Sequence, residues 1–341
     1  MDGASGIHVA PYSEAHAEGQ RALARRMWPA KERRRDPAYL RWKFRGPATG
    51  EVPGLLVALD GDAVVGQLGL IPVDLAVDGE VRPAQWACDL MVDDRVRRGG
   101  TGTRLLRAGM EGERITLGSE PSPAADVAMA RAGFRPIPGP TKMVLPLDAS
   151  HVLEWKLRGR TRPLARPLGT LAAPWVAWRL RRLARARPGL EAEPRGWREV
   201  VARVERREAA VERPHVVHDA AFLGWRARGL PGFSPELSAL VVEEDGYALW
   251  EAAGSNLYVH DWHAASPEGT AALFRVLLEG ARAAGSPTVR AMAQDAGEVA
   301  RLRDLGFLAQ RRPVHLIHYP DAPLAGRRSF HYCIFDADGN L

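Results

Sequence analysis

The stretch with the most chemical potential is Val92-Asp93-Asp94-Arg95-Val96-Arg97-Arg98-Gly99-Gly100-Thr101-Gly102. It lies between an apolar run, 86–92, and a pattern that sets Leu105, Leu106, Gly109 and Met110 on one face and so predicts a helix opening near Gly102. Glycines let a ligand approach the backbone, and the first amides of a helix have no intrahelical acceptor and carry the positive end of its dipole. Such a passage is a place for a pyrophosphate, with Arg95, Arg97 and Arg98 supplying charge beside it. A dinucleotide fold would need G-x-G-x-x-G, and a nucleoside triphosphatase G-x-x-x-x-G-K-[ST]; neither pattern is present.

Three H-x-x-H pairs, His215/His218, His260/His263 and His315/His318, raise the question of metal. The last two fall on predicted strands, where residues three apart face opposite ways, and none has the H-E-x-x-H form, so no metal ligands are assigned. These histidines read as core or cleft residues, with His260 or His263, beside Asp261, within reach of an acceptor. Cys88 and Cys333 are the only cysteines, too few for a disulfide framework, and read as small buried residues.

The elements that must hold the loop occur twice. Asp36-Pro-Ala-Tyr39-Leu40-Arg-Trp42 is answered by Asp219-Ala-Ala-Phe222-Leu223-Gly-Trp225, and Gly133-Phe134 after a helical pattern is answered by Gly306-Phe307 after another. Between these pairs each half has strands meeting at an acidic-glycine turn (Asp60-Gly61, Asp245-Gly246), a strand bearing Asp89 or Asp261, then a helix. In the first half this predicts strands at 7–11, 55–59, 63–71, 86–92 and 114–117, a turn at Asp78-Gly79, and helices at 14–28 and 123–132. The matched aromatics Tyr39, Trp42, Phe222 and Trp225 are expected in the core. The fold class is therefore α/β (α+β): two tandem mixed-sheet units, 1–150 and 197–341, joined by an Arg/Pro-rich helical arm, 151–196, interrupted by prolines.

Composition narrows the class. The 341 residues carry 47 basic and 41 acidic side chains for a net +6, with 46% hydrophobic and 26% charged residues, which excludes intrinsic disorder. No apolar run approaches the ~20 residues of a membrane span, and the polar start at 1–6 does not read as a secretory signal, so a cytoplasmic protein is expected. Only Lys31, Lys43, Lys142 and Lys156 are lysines; the basicity is otherwise arginine. In the arm, 175–187 sets Trp175, Trp178, Leu180 and Leu183 among arginines, a composition compatible with peripheral contact with an anionic membrane as well as with packing on the two units.

The loop resembles the acyl-CoA loop of the GNAT superfamily of acyltransferases, [RQ]-x-x-G-x-[GA] after a strand ending V-x-P. Arg97, Gly100 and Gly102 fill the motif, and Asp94 stands in place of the proline. The likeness extends to Gly133-Phe134 and, over nearly the full length, to bacterial tandem GNAT proteins, through Trp42-Lys43-Phe44, through 219–226, and through a terminal strand followed by Asp336 and Asp338. The resemblance implies acetyl-CoA or another acyl-CoA as co-substrate. Its pyrophosphate would lie on Arg97, Arg98, Gly99, Gly100, Thr101, Gly102 and Thr103, its arm between the strands at 86–92 and 115–118, and its thioester carbonyl near Met91 and Val92.

By the same resemblance, acyl transfer to a small-molecule amine acceptor would use Asp89, or second Glu120, as general base. The family's tyrosine acid is replaced by Met129, so the acid is unassigned, with Ser119 and Ser122 as candidates. The second copy, 266–271, lacks the loop, and co-substrate is expected in the first copy only. Two alternatives stand beside this reading: an aminoacyl-tRNA-dependent transferase, which the basic charge permits and the intact loop argues against, and a non-catalytic acyl-CoA-binding module. Nucleic acid is not an expected partner, and since two copies in one chain can mimic a dimer, no oligomer is assigned.

Overall fold

In the computed structural model, which describes residues 6–30, 32–45, 54–157, 159–185, 189–230, 236–254 and 256–336, the strands form two mixed sheets with helices packed on them. The first half runs β1 (His8–Pro11), α1 (Ala17–Met27), α2 (Pro37–Arg45), β2 (Leu55–Asp60), β3 (Ala63–Val77), β4 (Glu80–Val92), α3 (Thr101–Gly109), β5 (Ile115–Ser119), α4 (Pro123–Ala132), β6 (Arg135–Pro138) and β7 (Thr141–Pro146). The arm is α5 (Ala149–Lys156), a 3-10 turn (Gly159–Leu164) and α6 (Ala165–Arg185). The second half runs β8 (Ala192–Arg195), α7 (Trp197–Glu208), β9 (His215–Val216), α8 (Ala220–Arg226), β10 (Ser238–Val242), β11 (Gly246–Ala253), β12 (Asn256–Ala264), α9 (Pro267–Ala283), β13 (Thr288–Ala293), α10 (Ala296–Asp304), β14 (Leu308–Ala309) and β15 (His315–Tyr319).

The predicted fold class is the observed one, and the two halves share an order of elements. Each sheet is antiparallel except for one parallel pair, β4 with β5 in the first and β12 with β13 in the second. The predicted hairpin at Asp78-Gly79 is present, with longer arms than expected: β3 and β4 pair along nearly their whole length.

The division of the sequence at 150 is not the division between the sheets. The strand order is β1-β2-β3-β4-β5-β15-β6 in one and β14-β7-β13-β12-β11-β10-β8 in the other. Thus β7 leaves the first half to lie between β13 and β14, and β15 returns to lie between β5 and β6. Each half donates its last strand to the other.

The repeat motifs meet at the joint. Trp225 donates its indole N–H to the carbonyl of Trp42 at 3.1 Å, and the two rings lie 5.7 Å apart. Tyr39 and Phe222 are fully buried, in one core cluster that draws on both halves. Gly133 and Gly306 both end their helices in the left-handed region, φ 105° and 100°, which is why each repeat carries glycine before its phenylalanine.

The arm differs from its expected form. Helix α6 runs through Pro174, whose exposed position leaves the freed carbonyl to water. Leu183 is buried and Leu180 half-buried against the second half, and Arg179 donates to the carbonyls of Gly306 and Phe307 at 2.7 and 2.9 Å. Residues 186–187 of the basic stretch lie outside the described residues, and β8, within the predicted arm, is the edge strand of the second sheet. No helix among the described residues is long and apolar enough to cross a membrane.

Candidate active site

Strands β4 and β5 pair only at Ala84–Ile115, Gln85–Thr116 and Trp86–Leu117, and then part. Their separation follows from a bulge in β4. Its register against β3 slips between Met91, opposite Gln67, and Cys88, opposite Gly69, and Asp89 there has φ 49°. A parallel pair that splays leaves unpaired backbone facing a gap, and here the gap is a cavity of about 820 Å³. Its walls are β4 from Trp86 to Val92, the start of α3, the end of β5 and the length of α4.

The predicted phosphate loop forms one end of that cavity. Gly100, φ 77°, caps α3 without a side chain, and a Cβ there would meet nothing within 4 Å, so glycine is required by backbone angle rather than by space. The first amides of α3 have no intrahelical acceptor, while Thr101 is buried with its hydroxyl donating to the Val96 carbonyl at 3.2 Å. Met91, Val92, Arg97, Arg98, Gly100, Gly102 and Thr103 line the cavity; the side of Gly99 and the Thr101 side chain do not.

Arg95 is a correction. Both its backbone and its guanidinium are engaged by Asp93, at 2.9–3.0 Å, and Arg26 joins the same carboxylate at 2.8 Å. The hydrogen bonds from Arg95 hold the Asp93 carboxyl well below its usual range. Arg95 therefore fixes the loop entry and does not line the cavity.

Both predicted bases reach the cavity, and both have lysine partners that sequence reasoning missed. Asp89 forms a 2.6 Å ion pair with Lys43 of α2, and both side chains are buried. Glu120, φ 48°, is half exposed, is ion-paired with Lys142 of β7 and accepts from the His315 amide of β15 at 2.6 Å. Burial distinguishes the two: Asp89 is locked beneath the bulge, whereas Glu120 is open to the cavity. Met129, in the position of the missing tyrosine, is buried on the cavity wall, and Ser122 caps α4.

A third residue enters from the far end of the chain. Tyr332 lines the cavity, packs edge-on to Trp86 at 5.8 Å and hydrogen-bonds Ser119. Burial, then Asp336, push its phenol above the ordinary value. The only hint in the sequence was an aromatic run near the end. The strand expected there is instead a single bridge, His331 to His215, followed by a turn, and Asp338 lies outside the described residues.

At the start of α9, among the described residues, the corresponding place is occupied by side chains. Ser266 caps that helix, Asp245 accepts from Ser266, and a Cβ on Gly269 would lie 2.1 Å from the Asp245 carboxylate. A carboxylate already stands where an anion would sit. Asp261 repeats Asp89 in kind, paired with Arg207 of α7 at 2.8 Å. Burial alone would raise its carboxyl, but Arg207, His218 and Tyr247 hold it well below the usual range.

Each histidine pair has at least one member bound to a carboxylate. His260 bonds Glu251 at 3.0 Å, His315 pairs with Asp126 at 3.1 Å, and neither His260 nor His263 lines the cavity. His218 is clamped between Glu208 and Asp336, the latter at 2.5 Å. Among the described residues, ligand-type atoms of His218, Cys333 and Asp336, and of Asp261, His331 and Cys333, lie within 4.8 Å of one another. Their carboxylates are already taken up by His218, Arg207, Tyr247 and the Cys333 amide, so the cluster is a buried polar lock on the segment that carries Tyr332.

Residues 8–114 match the family model described as an acetyltransferase (GNAT) domain. No curated protein is significantly similar in sequence. The fold is similar to that of a GCN5-related N-acetyltransferase from Kribbella flavida, with TM-score 0.59 and 15% identity over 91% of this chain and 70% of that one. A second, from Anabaena variabilis, gives 0.58 and 12% over 91% and 72%. Saccharomyces cerevisiae N-myristoyltransferase, solved with bound myristoyl-CoA, gives 0.58 and 14% over 92% and 82%. Residues 8–114 are therefore similar to a GNAT acetyltransferase domain, within a mixed α/β fold that the chain shares over nine tenths of its length with GCN5-related N-acetyltransferases.

Proposed function

We propose that the chain transfers an acyl group, in the simplest case acetyl, from acyl-CoA to a small-molecule amine, with acyl-CoA bound by the first half only. The observation that carries this reading is the cavity that runs from the free amides of α3 to the parting of β4 and β5. One end offers helix amides and the arginines Arg97 and Arg98 to a diphosphate; the narrowing between strands suits an extended arm. Bound acyl-CoA supplies a thioester, and an amide near Met91 is suited to polarise its carbonyl where negative charge develops.

Within this reading Glu120 is the base that takes the amine's proton, because it is the carboxylate open to the cavity. Tyr332, whose side chain lines the cavity beside Ser119, is the acid that donates a proton to the departing thiolate. Tyr332→Phe is expected to lower kcat by about 100-fold while leaving acyl-CoA affinity unchanged. An unaltered kcat, measured as free thiol released with a reactive amine, would remove Tyr332 from the mechanism.

The test of the whole reading is calorimetric titration of acetyl-CoA and longer acyl-CoAs into the protein and into Gly100→Glu. A side chain at φ 77° strains the loop by about 1–2 kcal/mol, and its carboxylate opposes a diphosphate, so binding is expected to weaken more than tenfold. Folded wild-type protein that binds no acyl-CoA would sink the proposal. A non-catalytic acyl-CoA-binding module is the second reading, favoured by Met129 in the place of the tyrosine; it predicts binding without thiol release across an amine panel.

A further inference from the structure

Helix α6 packs one face on α5 and on the second half and leaves another open. The covered face carries Ala165, Gly169, Val176 and Leu183. The open one carries Leu164 just before the helix, then Leu168, Leu171, Trp175 and Trp178, at intervals of three and four residues that align them along one side. Leu171 is 78% exposed and Trp178 46%. These five make up most of the large apolar side chains exposed among the described residues; the others, Val81 and Val127, belong to different elements. A contiguous exposed stripe of this kind marks an interaction surface, whereas single exposed apolar residues do not.

Charge selects the partner. Residues 155–190 contain ten Lys and Arg and no Asp or Glu, so this segment alone exceeds the net +6 of the whole chain. Arg162 and Arg181 are exposed alongside the stripe, Arg166 is exposed and ion-paired with Glu154 at 3.6 Å, and Arg179 is committed to the Gly306 and Phe307 carbonyls and anchors the helix. A second copy placed on this face would set the same basic segment against itself, because a two-fold interface is self-complementary. A surface of anionic lipid headgroups neutralises it, and the two tryptophans, apolar bodies with a polar N–H, suit the boundary between headgroup and acyl chain.

We propose that α6 seats the protein on anionic phospholipid membrane, lying in the interface plane with Leu164, Leu168, Leu171, Trp175 and Trp178 inserted and the flanking arginines on headgroup phosphates. The stripe thus begins eleven residues before the 175–187 stretch that the sequence singled out, and it excludes Leu180 and Leu183. This inference is independent of the chemistry in the cavity.

The experiment is co-sedimentation of the full chain with vesicles of phosphatidylcholine alone and of phosphatidylcholine with phosphatidylglycerol, at low and high salt. It is run with wild type and with Leu171→Glu/Trp175→Glu, both exposed positions whose change leaves the core intact. Wild type is expected to bind the anionic vesicles at least about tenfold more strongly than the neutral ones, more weakly at high salt, and the double variant to lose that binding with its thermal unfolding unchanged. Failure to bind anionic vesicles, or equal binding by the variant, overturns the proposal. So does a wild-type dimer in solution that the double variant converts to monomer without any vesicle binding, since the face would then be a self-association surface.

Discussion

Replacing Lys43 by methionine is expected to destabilise the protein by about 3–5 kcal/mol, the cost of leaving a buried charge without its counter-ion. The Lys43 ammonium is enclosed by α2 with the Tyr39 and Phe44 rings 5.9 and 5.3 Å away, and its 2.6 Å partner Asp89 is equally buried. Methionine keeps the apolar volume and removes only the charge. Asp89 sits at the bulge that parts β4 from β5, so its loss of a partner is also expected to loosen the cavity. Adding Asp89→Asn should recover most of the lost stability, since asparagine keeps the left-handed conformation without the charge. Chemical denaturation of the wild type, both single variants and the double variant gives the coupling. A single Lys43→Met variant as stable as the wild type would show that the pair carries no such role.

Stability is expected to peak near pH 6.5 and fall on both sides, and two histidines of the polar lock set the limbs. For His218, burial lowers the pKa, but the Glu208 and Asp336 carboxylates outweigh it and hold the imidazole well above its ordinary 6.5. Above pH 6.5 the folded chain keeps a proton that the unfolded chain has released, so stability falls by about 1.4 kcal/mol per pH unit until the folded-state value is reached. His331 is the reverse. Burial, and then Arg207, depress it well below 6.5, so below that pH the unfolded chain binds a proton that the folded chain refuses, and stability falls as pH falls. His263 and His318, lowered by burial, add to the acid limb. Denaturant midpoints from pH 5 to 8.5 test this directly. A flat profile above 7 would refute the role of His218; His218→Gln, if it folds, should lose the alkaline limb and keep the acid one.

The sequence was most legible where structure is local. The loop at 97–103, its flanking strand and helix, the turns at Asp60-Gly61 and Asp78-Gly79, and the glycines that end α4 and α10 all follow from propensities over a few residues. The repeat was legible because two helices that face each other across the molecule need the same aromatics, seen in the Trp42–Trp225 contact. What could not be read were partnerships between distant segments. Nothing in 141–146 states that it pairs with 288–293 instead of with its own half, because alternation specifies a strand's faces and not its neighbour. Lys43 with Asp89, Lys142 with Glu120 and Tyr332 in the cavity are further cases, each set by tertiary packing.

The traded strands bear on how the chain reaches its native state. Glu120, at the end of β5, receives its backbone partner from His315, 195 residues further on. During synthesis the first half therefore emerges with a gap beside β5 that no neighbouring segment fills, and with β7 extended and exposed until β13 appears. Contacts this distant in sequence fold slowly and leave strand edges open to mispairing. Neither half can be excised as an autonomous unit, and the two are expected to unfold in one cooperative transition. The second half is in this sense a permanent folding partner of the first, which is completed only when β15 takes its place between β5 and β6.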